Sequence, residues 1–402
     1  MDDLLPQPTA LTSEELGRLI TRRRGRQAGG QGRQSIPRRE PGTAAPLSFA
    51  QQRLWFLEQF DPQNTLYNMP AAIRLEGGLS IAALTHSLCE IERRHEMLRT
   101  TFVETQGEPV QMIAPSGHFQ LPVLDVGGLP VEAREREVQR LGARQAQRPF
   151  NLTTGPLWRL QLLRLGPTEH VLLLVMHHIA SDGWSVGKLF NELAALYGAY
   201  LAGQPSPLAE LPIQYADYTR WQRETAQGDT LARQLDYWRR QLEGAPSALA
   251  LPTDRPRAQR ESHEGARAWL ALAPELARGL QDLASAEGVT MFMALLTGFS
   301  AVLYRYSGQE DVCVGTPVAN RGRAEVEGLI GFFVNTLVLR VDAAGRPSFR
   351  QLLARVREVA LGAYANQDVP FEQLVREFQV DRSTHSPLFQ VMFGILNMHV
   401  EG

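Results

Sequence analysis

The chain has 402 residues, 44% of them hydrophobic and 21% charged, which is enough for one large hydrophobic core or two ordinary ones. Its formal net charge of −2 provides no overall field for nucleic acid or an anionic membrane, so we expect neither partner. Cys89 and Cys313 lie far apart, and no apolar run reaches the ~18–20 residues of a bilayer span, so the sequence predicts a cytoplasmic protein without disulfides or a thiolate metal site.

Residues 1–46 differ in composition from the rest of the chain. Thr12 and Glu15 form a capping-box pattern, which predicts a short helix over residues 12–24. The tract that follows is rich in Gly, Gln, Arg and Pro and cannot bury enough apolar surface to fold alone. The helix pattern carries an apolar face and then a basic end, formed by Leu16, Leu19, Ile20, Arg22, Arg23 and Arg24. We therefore expect a docking helix or a linker.

From residue 47 onward, helical and strand patterns alternate with short turns, which favours a layered α/β architecture. A helix pattern near 81–94 precedes an extended stretch near 100–113. A helix pattern near 291–306 likewise precedes a strand pattern at 312–318. This repeated order predicts two related halves.

The boundary between the two halves is expected near residue 225. Amphipathic helix patterns at 214–224 and 231–242 come before a Pro-containing segment with the composition of a loop. The sequence therefore predicts a first lobe over 47–225 and a second over 226–402.

The segment most informative about chemistry joins a strand to a helix. Residues 171–176 form an apolar run of strand length, typical of a strand covered on both faces, and helical spacing begins after Gly183. His177, His178 and Asp182 lie between them, where polar side chains can face a cleft while packing holds the backbone.

Three interpretations of this segment remain open on the residues alone. A metal site is disfavoured because adjacent residues of an extended strand point to opposite faces. The sequence GWSVG at 183–187 matches the pattern of a serine-hydrolase nucleophile, but Ser185 does not follow the strand directly, as that pattern requires. A purely structural pair of histidines is weakened by the aspartate in the same loop.

The segment MHHIASDGWS resembles the His-His-x-x-x-Asp-Gly signature of condensation domains of non-ribosomal peptide synthetases, within the chloramphenicol-acetyltransferase-like superfamily. Further motifs of this family follow in family order: LSFAQQRLWFLEQF (47–60), RRHEMLRTTF (93–102), QYADYTRW (214–221), LIGFFVNTLVLR (329–340), NQDVPFEQL (366–374) and HSPLFQVMF (385–393). The resemblance implies two acetyltransferase-like α/β lobes in a V-shaped pseudo-dimer, with the signature histidines at their junction. Such domains continue well beyond the last motif, so the resemblance also implies that the second lobe is incomplete at its C-terminus.

The resemblance implies a reaction and a set of partners. Condensation domains join the acyl or peptidyl thioester of an upstream carrier protein to the amine of a downstream carrier-bound aminoacyl thioester. The domain would bind no cofactor of its own, because phosphopantetheine arrives covalently attached to the donor and acceptor carrier proteins. An adenylation domain is expected downstream, and the later motifs most resemble the subtype that accepts an L-configured donor.

The resemblance and the local pattern together assign roles near the signature. His178 is expected to remove the amine proton or to orient the amine, whereas His177 points the other way and is expected to be structural. Gly183 would allow a tight turn and offer its N–H to the developing oxyanion. Asn335 is the polar residue of an otherwise apolar run and is expected near the channel, unless it pairs with backbone.

Asp182 is expected to hold the loop through a salt bridge rather than to act as a base. Arg321 is the first choice of partner, with Arg94 and Arg99 as alternatives. Trp184 and Ser185 complete the predicted supporting set.

Several rival functions remain at this point. An epimerization domain carries the same signature, and a starter-type condensation domain would take a fatty acyl donor. A heterocyclization domain is disfavoured because it replaces both histidines with aspartate. A catalytically silent carrier-docking module is a candidate from another class. If Met1 is the native start, the donor is expected from a carrier on another polypeptide.

Overall fold

The computed structural model describes residues 35–40, 42–117, 119–225, 228–254, 265–378 and 388–395. The helix predicted at 12–24 lies outside these residues. In chain order the helices are α1 (Phe49–Phe60), α2 (Ile81–Arg94), α3 (Val131–Ala146), α4 (Gly183–Leu201), α5 (Tyr215–Thr225), α6 (Asp229–Leu242), α7 (Pro274–Ala286), α8 (Met291–Ser307), α9 (Ala324–Glu327), α10 (Phe349–Ala365) and α11 (Phe371–Glu377). The strands are β1 (Ala45–Pro46), β2 (Asn68–Glu76), β3 (Thr100–Thr105), β4 (Glu108–Ile113), β5 (Val123–Asp125), β6 (Trp158–Arg164), β7 (Glu169–His177), β8 (Asp311–Val318) and β9 (Asn335–Asp342).

The described residues divide into two compact units, and the division falls between Gln227 and Gly228. The N-terminal unit contains the described residues of 34–227 together with 323–334, and the C-terminal unit contains the described residues of 228–322 and 335–402. The predicted boundary at residue 225 lies beside this division. The sequence did not predict that residues 323–334, from late in the chain, pack within the N-terminal unit.

The N-terminal unit contains two sheets. A four-stranded sheet has the order β2-β7-β6-β5, and a three-stranded sheet has the order β1-β4-β3. Strand β7 is central to the larger sheet, and all its residues after Glu169 are buried. The prediction of a strand covered on both faces is therefore confirmed. In the register of this sheet, His177 lies opposite Asn68, which sets the point where β7 ends and the turn begins.

Helices α2 and α4 pack against each other in the same unit. Their apolar faces contribute Leu88, Ile91, Leu189 and Leu196 to one buried cluster with β6 and β7. The helix patterns at 81–94 and after residue 183 are thus confirmed, because their apolar stripes are buried as helical periodicity requires.

The C-terminal unit contains an antiparallel pair, β8 with β9, in which Asp311 lies opposite Asp342. Helix α10 packs on β9 and on α8. The helix predicted near 291–306 is α8, and it ends at Gly308, whose φ of 70° lies in the left-handed region that favours glycine. The strand predicted at 312–318 is β8.

Among the described residues, no single helix is long and apolar enough to cross a membrane. Taken together, α7 and α8 are long and apolar enough, but the pair is bent by 109°.

Candidate active site

His177 ends β7 with its side chain inside the protein. It is 2% exposed, and its Nδ1 accepts a hydrogen bond from the Ile179 backbone N–H at 3.1 Å. The ring of Phe150 meets the imidazole edge-on at 5.8 Å. Burial first, and then the neighbouring His178 and Arg159, lower the pKa of His177 to about 3. A neutral, buried ring that caps the following turn supports a structural role.

His178 begins the 3-10 turn His178–Ala180, with its ring partly exposed. Its backbone N–H donates to Tyr67 O at 2.8 Å, and its Nδ1 lies 2.9 Å from Ser181 O. Because a carbonyl oxygen can only accept, Nδ1 carries the proton and the lone pair of the neutral ring is on Nε2. Within the part of the chain that the structure describes, Nε2 makes no hydrogen bond.

The electrostatics of His178 favour the neutral ring. Burial lowers the pKa of His178, and the negative charge of Asp182 only partly opposes this effect. The ring of Phe332 packs edge-on against the imidazole, with 4.8 Å between the ring centroids. His178 therefore presents an unprotonated Nε2 at neutral pH, which is what a general base or an amine acceptor requires.

Asp182 is fully buried and caps the N-terminus of α4. Its Oδ1 accepts from Ser185 N at 2.8 Å and from Ser185 Oγ at 2.7 Å, and its Oδ2 accepts from Phe333 N at 3.0 Å. These contacts support the role of holding the loop, because they engage both carboxylate oxygens.

The alternative arginine partners of Asp182 have to be corrected. Arg94 Nε lies 3.2 Å from Glu192 Oε2, and Arg99 donates to Ala114 O and lies 4.0 Å from Glu96. Neither arginine contacts Asp182. Arg321, the first choice, is buried in the C-terminal unit, and its pairing with Asp182 stays a prediction.

Ser185 lies in the first turn of α4, fully buried. Its hydroxyl lies within hydrogen-bond distance of Asp182 Oδ1, as above, and of Gly331 O at 2.9 Å, and it accepts from Gly331 N at 3.1 Å. A nucleophilic serine needs an exposed hydroxyl on a sharp turn at the strand end, so this geometry argues against the hydrolase interpretation.

Gly183 is the first residue of α4 and is exposed. The backbone at Gly183 does not require a glycine, because its φ lies outside the positive range and a Cβ there would meet no atom within 4 Å. Its backbone N–H has no acceptor among the described residues, as is usual for the first amides of a helix. The neighbouring Trp184 is 41% exposed, and its indole N–H donates to Glu327 O at 3.2 Å.

Asn335 engages only backbone groups in the hydrogen bonds that the structure shows. Its Nδ2 donates to Gln367 O at 2.9 Å and Val369 O at 2.8 Å, while its Oδ1 accepts from Phe371 N at 3.0 Å and Thr336 N at 2.9 Å. The interpretation as a channel residue is therefore corrected in favour of the alternative. Asn335 ties the start of β9 to the start of α11, since the loop before α11 offers carbonyls that no helix satisfies.

The motif LIGFFVNTLVLR (329–340) was not predicted to lie against the signature loop, but part of it does. Residues 330–333 contact His178, Asp182 and Ser185, and Tyr215 Oη donates to Phe332 O at 2.5 Å. One local signal was available: Gly331 interrupts an apolar run, and a Cβ at this position would lie 2.1 Å from the Tyr215 ring. A glycine at such a place indicates a close approach by another side chain.

The described residues contain no group of three side chains that could hold a metal ion.

Comparison with known proteins gives consistent matches. A family model described as "Condensation domain" matches residues 42–401. A linear gramicidin synthase of Brevibacillus parabrevis is 52% identical over 356 residues, which cover 88% of this chain and 7% of that protein. Phosphinothricin tripeptide synthetase PhsC of Streptomyces viridochromogenes is 45% identical over 395 residues, which cover 98% of this chain and 36% of that protein. The chain thus spans a small part of the curated relatives that it matches.

Two solved structures show the same fold. An X-domain solved in complex with OxyB from teicoplanin biosynthesis matches with a TM-score of 0.80 at 29% identity, covering 90% of this chain and 80% of that chain. The first condensation domain of the CDA synthetase matches with a TM-score of 0.74 at 25% identity, covering 89% and 83%. These matches confirm the predicted α/β fold class.

Proposed function

Because the chain belongs to the condensation domain family, whose members catalyse amide-bond formation, we propose that it joins two carrier-bound substrates and that His178 lies at the reaction site. The donor would be an acyl or peptidyl thioester and the acceptor an aminoacyl thioester, each on the phosphopantetheine arm of a carrier protein. The observation that carries the proposal is the lone pair of His178 Nε2, which the neutral tautomer exposes and no described residue occupies.

The proposed chemistry is aminolysis of a thioester. The acceptor nitrogen attacks the donor carbonyl carbon, a C–N bond forms, and the C–S bond breaks to release the donor thiol. His178 Nε2 accepts the proton that the nitrogen loses, and the same proton can pass to the departing sulfur. An α-amine has a pKa near ~8 and a thioester is already activated, so positioning, worth about 7–11 kcal/mol, is expected to exceed the contribution of the base.

The start of α4 supplies a candidate site for the oxyanion that forms during attack. The N–H of Gly183 is exposed, lacks an acceptor among the described residues and lies at the positive end of a 19-residue helix. A donor of this kind stabilises developing negative charge without reorganisation. We assign it to the donor carbonyl oxygen in the tetrahedral intermediate.

The proposed partners are supported by the relatives, which are peptide synthetases. We expect a donor and an acceptor carrier protein and an adenylation domain downstream. The L-configured donor subtype is part of the proposal and rests on the resemblance of the later motifs.

A second candidate, a docking module without catalytic activity, is favoured by one observation. The X-domain structure with a TM-score of 0.80 was solved in complex with another protein, OxyB. The two functions differ in outcome, since a docking module binds its partner and forms no amide bond.

The test uses both carriers loaded with natural substrates and compares wild type with His178→Ala. We expect the variant to form the amide at least about 10²-fold more slowly while its melting temperature stays unchanged, because the ring is only partly packed. His86→Ala, at an exposed histidine of α2, is the matched control and should keep the wild-type rate. A His178→Ala rate near that of wild type would remove His178 from the mechanism. A wild-type protein that binds carriers but forms no amide would establish the docking function.

A further inference from the structure

Four consecutive residues, Ile330–Phe333, are held by side chains from distant parts of the N-terminal unit. We call these residues the clamped segment. Its hydrogen bonds include Ile330 N to His95 Nδ1 (3.3 Å), Gly331 N to Ser185 Oγ (3.1 Å), Phe333 N to Asp182 Oδ2 (3.0 Å) and Tyr215 Oη to Phe332 O (2.5 Å). Three of its four amides therefore donate to side chains rather than to regular secondary structure.

Of the side chains that hold this segment, His95 is the farthest along the sequence from the signature residues 177–183. It lies between α2 and the turn Glu96–Arg99 and is 1% exposed. Since Ile330 N–H donates to Nδ1, the neutral ring carries its proton on Nε2 and donates it to Glu192 Oε2 at 2.9 Å. Burial lowers the pKa of His95, and this keeps the ring in the neutral form that both hydrogen bonds require.

Glu192 fixes the orientation of that ring. Its side chain is 3% exposed on α4 and also meets Arg94 at 3.2 Å and Lys188 at 3.6 Å. Burial opposes ionisation, but the hydrogen bonds from His95 and Arg94 outweigh it and lower the pKa of Glu192. A charged carboxylate therefore accepts the Nε2–H of His95 and leaves Nδ1 directed at Ile330.

The clamped segment in turn presents one side chain to the site. The ring of Phe332 meets His178 at 4.8 Å with an interplanar angle of 61°. The flanking residues Ile330 and Phe333 are buried in two different hydrophobic clusters, so the segment cannot rotate without exposing one of them.

We propose that His95 is a positioning residue for His178. Glu192 orients His95, His95 holds the clamped segment at Ile330, and the segment holds Phe332 against the His178 imidazole. The kinetic part of the test rests on the proposed function, while the spectroscopic part does not.

Two substitutions separate the two hydrogen bonds of His95. In His95→Asn, the side-chain amide reaches the position of Nδ1 and can still accept from Ile330 N–H, while the bond to Glu192 is lost. In His95→Gln, the longer side chain reaches the position of Nε2 and can still donate to Glu192, while Ile330 N–H loses its acceptor. We expect His95→Gln to lower kcat at least about tenfold with KM within about twofold, because a small displacement of a catalytic group is costly. His95→Asn should lower kcat by no more than about threefold.

The second readout is the titration of His178, followed by NMR in protein labelled at its histidine rings. Release of Phe332 hydrates the imidazole, so in His95→Gln the pKa of His178 should rise toward its ordinary value, and in His95→Asn it should stay at the wild-type value. His86→Gln, on the exposed face of α2, is the control and should change neither kcat nor the His178 titration. If His95→Gln does not fold, Phe332→Leu keeps the backbone bonds, removes the ring and should shift the same titration.

The proposal requires both changes in His95→Gln. A wild-type titration of His178 in that variant would overturn it, even if kcat or the melting temperature fell, because the effect would not pass through His178. A shifted titration with a wild-type kcat would also overturn it. If wild type itself forms no amide, the proposed function fails, and the titrations alone still decide whether His95 positions His178.

Discussion

The turn at His178 and the buried cluster around His95 are two polar regions of the same unit with different hydrogen-bonding states. Burial lowers the pKa of both histidines. Both ring nitrogens of His95 have partners, at Ile330 and Glu192, whereas His178 uses only Nδ1, toward Ser181. The two imidazoles hold opposite tautomers, and the described part of the protein engages both nitrogens of His95 but one nitrogen of His178.

This difference indicates which groups support the site and which are available to a substrate. A buried polar atom without a partner costs about 1–3 kcal/mol, so a folded protein satisfies most of them. His95, Glu192, Asp182 and Ser185 are satisfied in this way. Within the described ranges, the Nε2 of His178 and the N–H of Gly183 have no hydrogen-bond partner. His178 follows the end of β7, and Gly183 begins α4.

The largest expected effect comes from removing the N–H of Gly183. Proline is favoured at the first helical position, and Asp182 before it is extended, at φ −139° and ψ 177°, as a residue before proline prefers. Gly183→Pro should therefore fold normally and lower the rate of condensation by about 10²–10³-fold, the usual loss for one oxyanion donor. Single-turnover rates with loaded carriers measure the change.

Gly183→Ala is the matched control, because it keeps the N–H and adds a methyl group where no atom lies within 4 Å. An equal loss of rate in Gly183→Pro and Gly183→Ala would contradict the role of the N–H, since the added side-chain atoms would then explain both losses. Melting temperatures within about 2 °C of wild type would show that α4 is intact in both.

The next largest effect is a loss of stability when Asp182, whose two carboxylate oxygens both accept hydrogen bonds, is replaced. Asp182→Asn would direct an NH₂ group at Phe333 N–H or at Ser185 N–H, because the amide has one acceptor oxygen where the carboxylate has two. We expect a loss of about 2–3 kcal/mol in the free energy of unfolding, measured by urea denaturation.

Asp236→Asn is the control for that change. Asp236 pairs with Arg239 at 2.7 Å on the surface, and both side chains are about half exposed. Its replacement should cost no more than about 0.5 kcal/mol. Equal losses in the two variants would contradict the role of Asp182 as a clamp.

The smallest expected effect concerns Glu58, a buried carboxylate that lacks the partners Glu192 has. Glu58 on α1 is 7% exposed and has no hydrogen bond or ion pair among the described residues. Burial, with a smaller contribution from Asp61, raises the pKa of Glu58 from 4.5 to about 7. The folded protein therefore prefers the neutral acid.

The contribution of protonated Glu58 to stability is fully present below pH 4.5 and is lost as the pH rises through 7. Glu58→Gln stays neutral at every pH, so it should be more stable than wild type by about 1–2 kcal/mol at pH 8 and about equal at pH 4.5, after allowance for solvent screening. Urea denaturation at both pH values measures this. Glu104→Gln, at an exposed position of β3, is the control for the same substitution on the surface. A constant difference between Glu58→Gln and wild type at both pH values would contradict the raised pKa.

Much of the N-terminal unit could be predicted from local patterns. The apolar run at 171–176, the helical spacing after Gly183 and the helix pattern at 81–94 each became the element expected, because burial of one strand or one helix face depends on residues close together in sequence. The position of His178 at the end of a buried strand follows from the same patterns.

The roles of Asn335 and Arg94 were predicted incorrectly, because their hydrogen-bond partners lie far away in the sequence and no local pattern indicates them. Asn335 was expected near a channel, but it binds the loop before α11, more than 30 residues away. Arg94 was offered as a partner of Asp182, but it pairs with Glu192 on α4. Each residue type suited either role, and only folding selected one of the available acceptors.

The sequence alone determined the family, the order of the elements and the histidine at the centre of the proposed site, because motifs and hydrophobic periodicity are local properties of the chain. Only the tertiary structure decided the tautomer of His178 and the identity of its wall. The tautomer depends on the contact of His178 Nδ1 with Ser181 O in the folded turn. The wall depends on hydrogen bonds that span 151 residues, from Asp182 to Phe333, and 235 residues, from His95 to Ile330. Contacts at such separations form only after the whole unit has packed, since neither partner constrains the other along the chain.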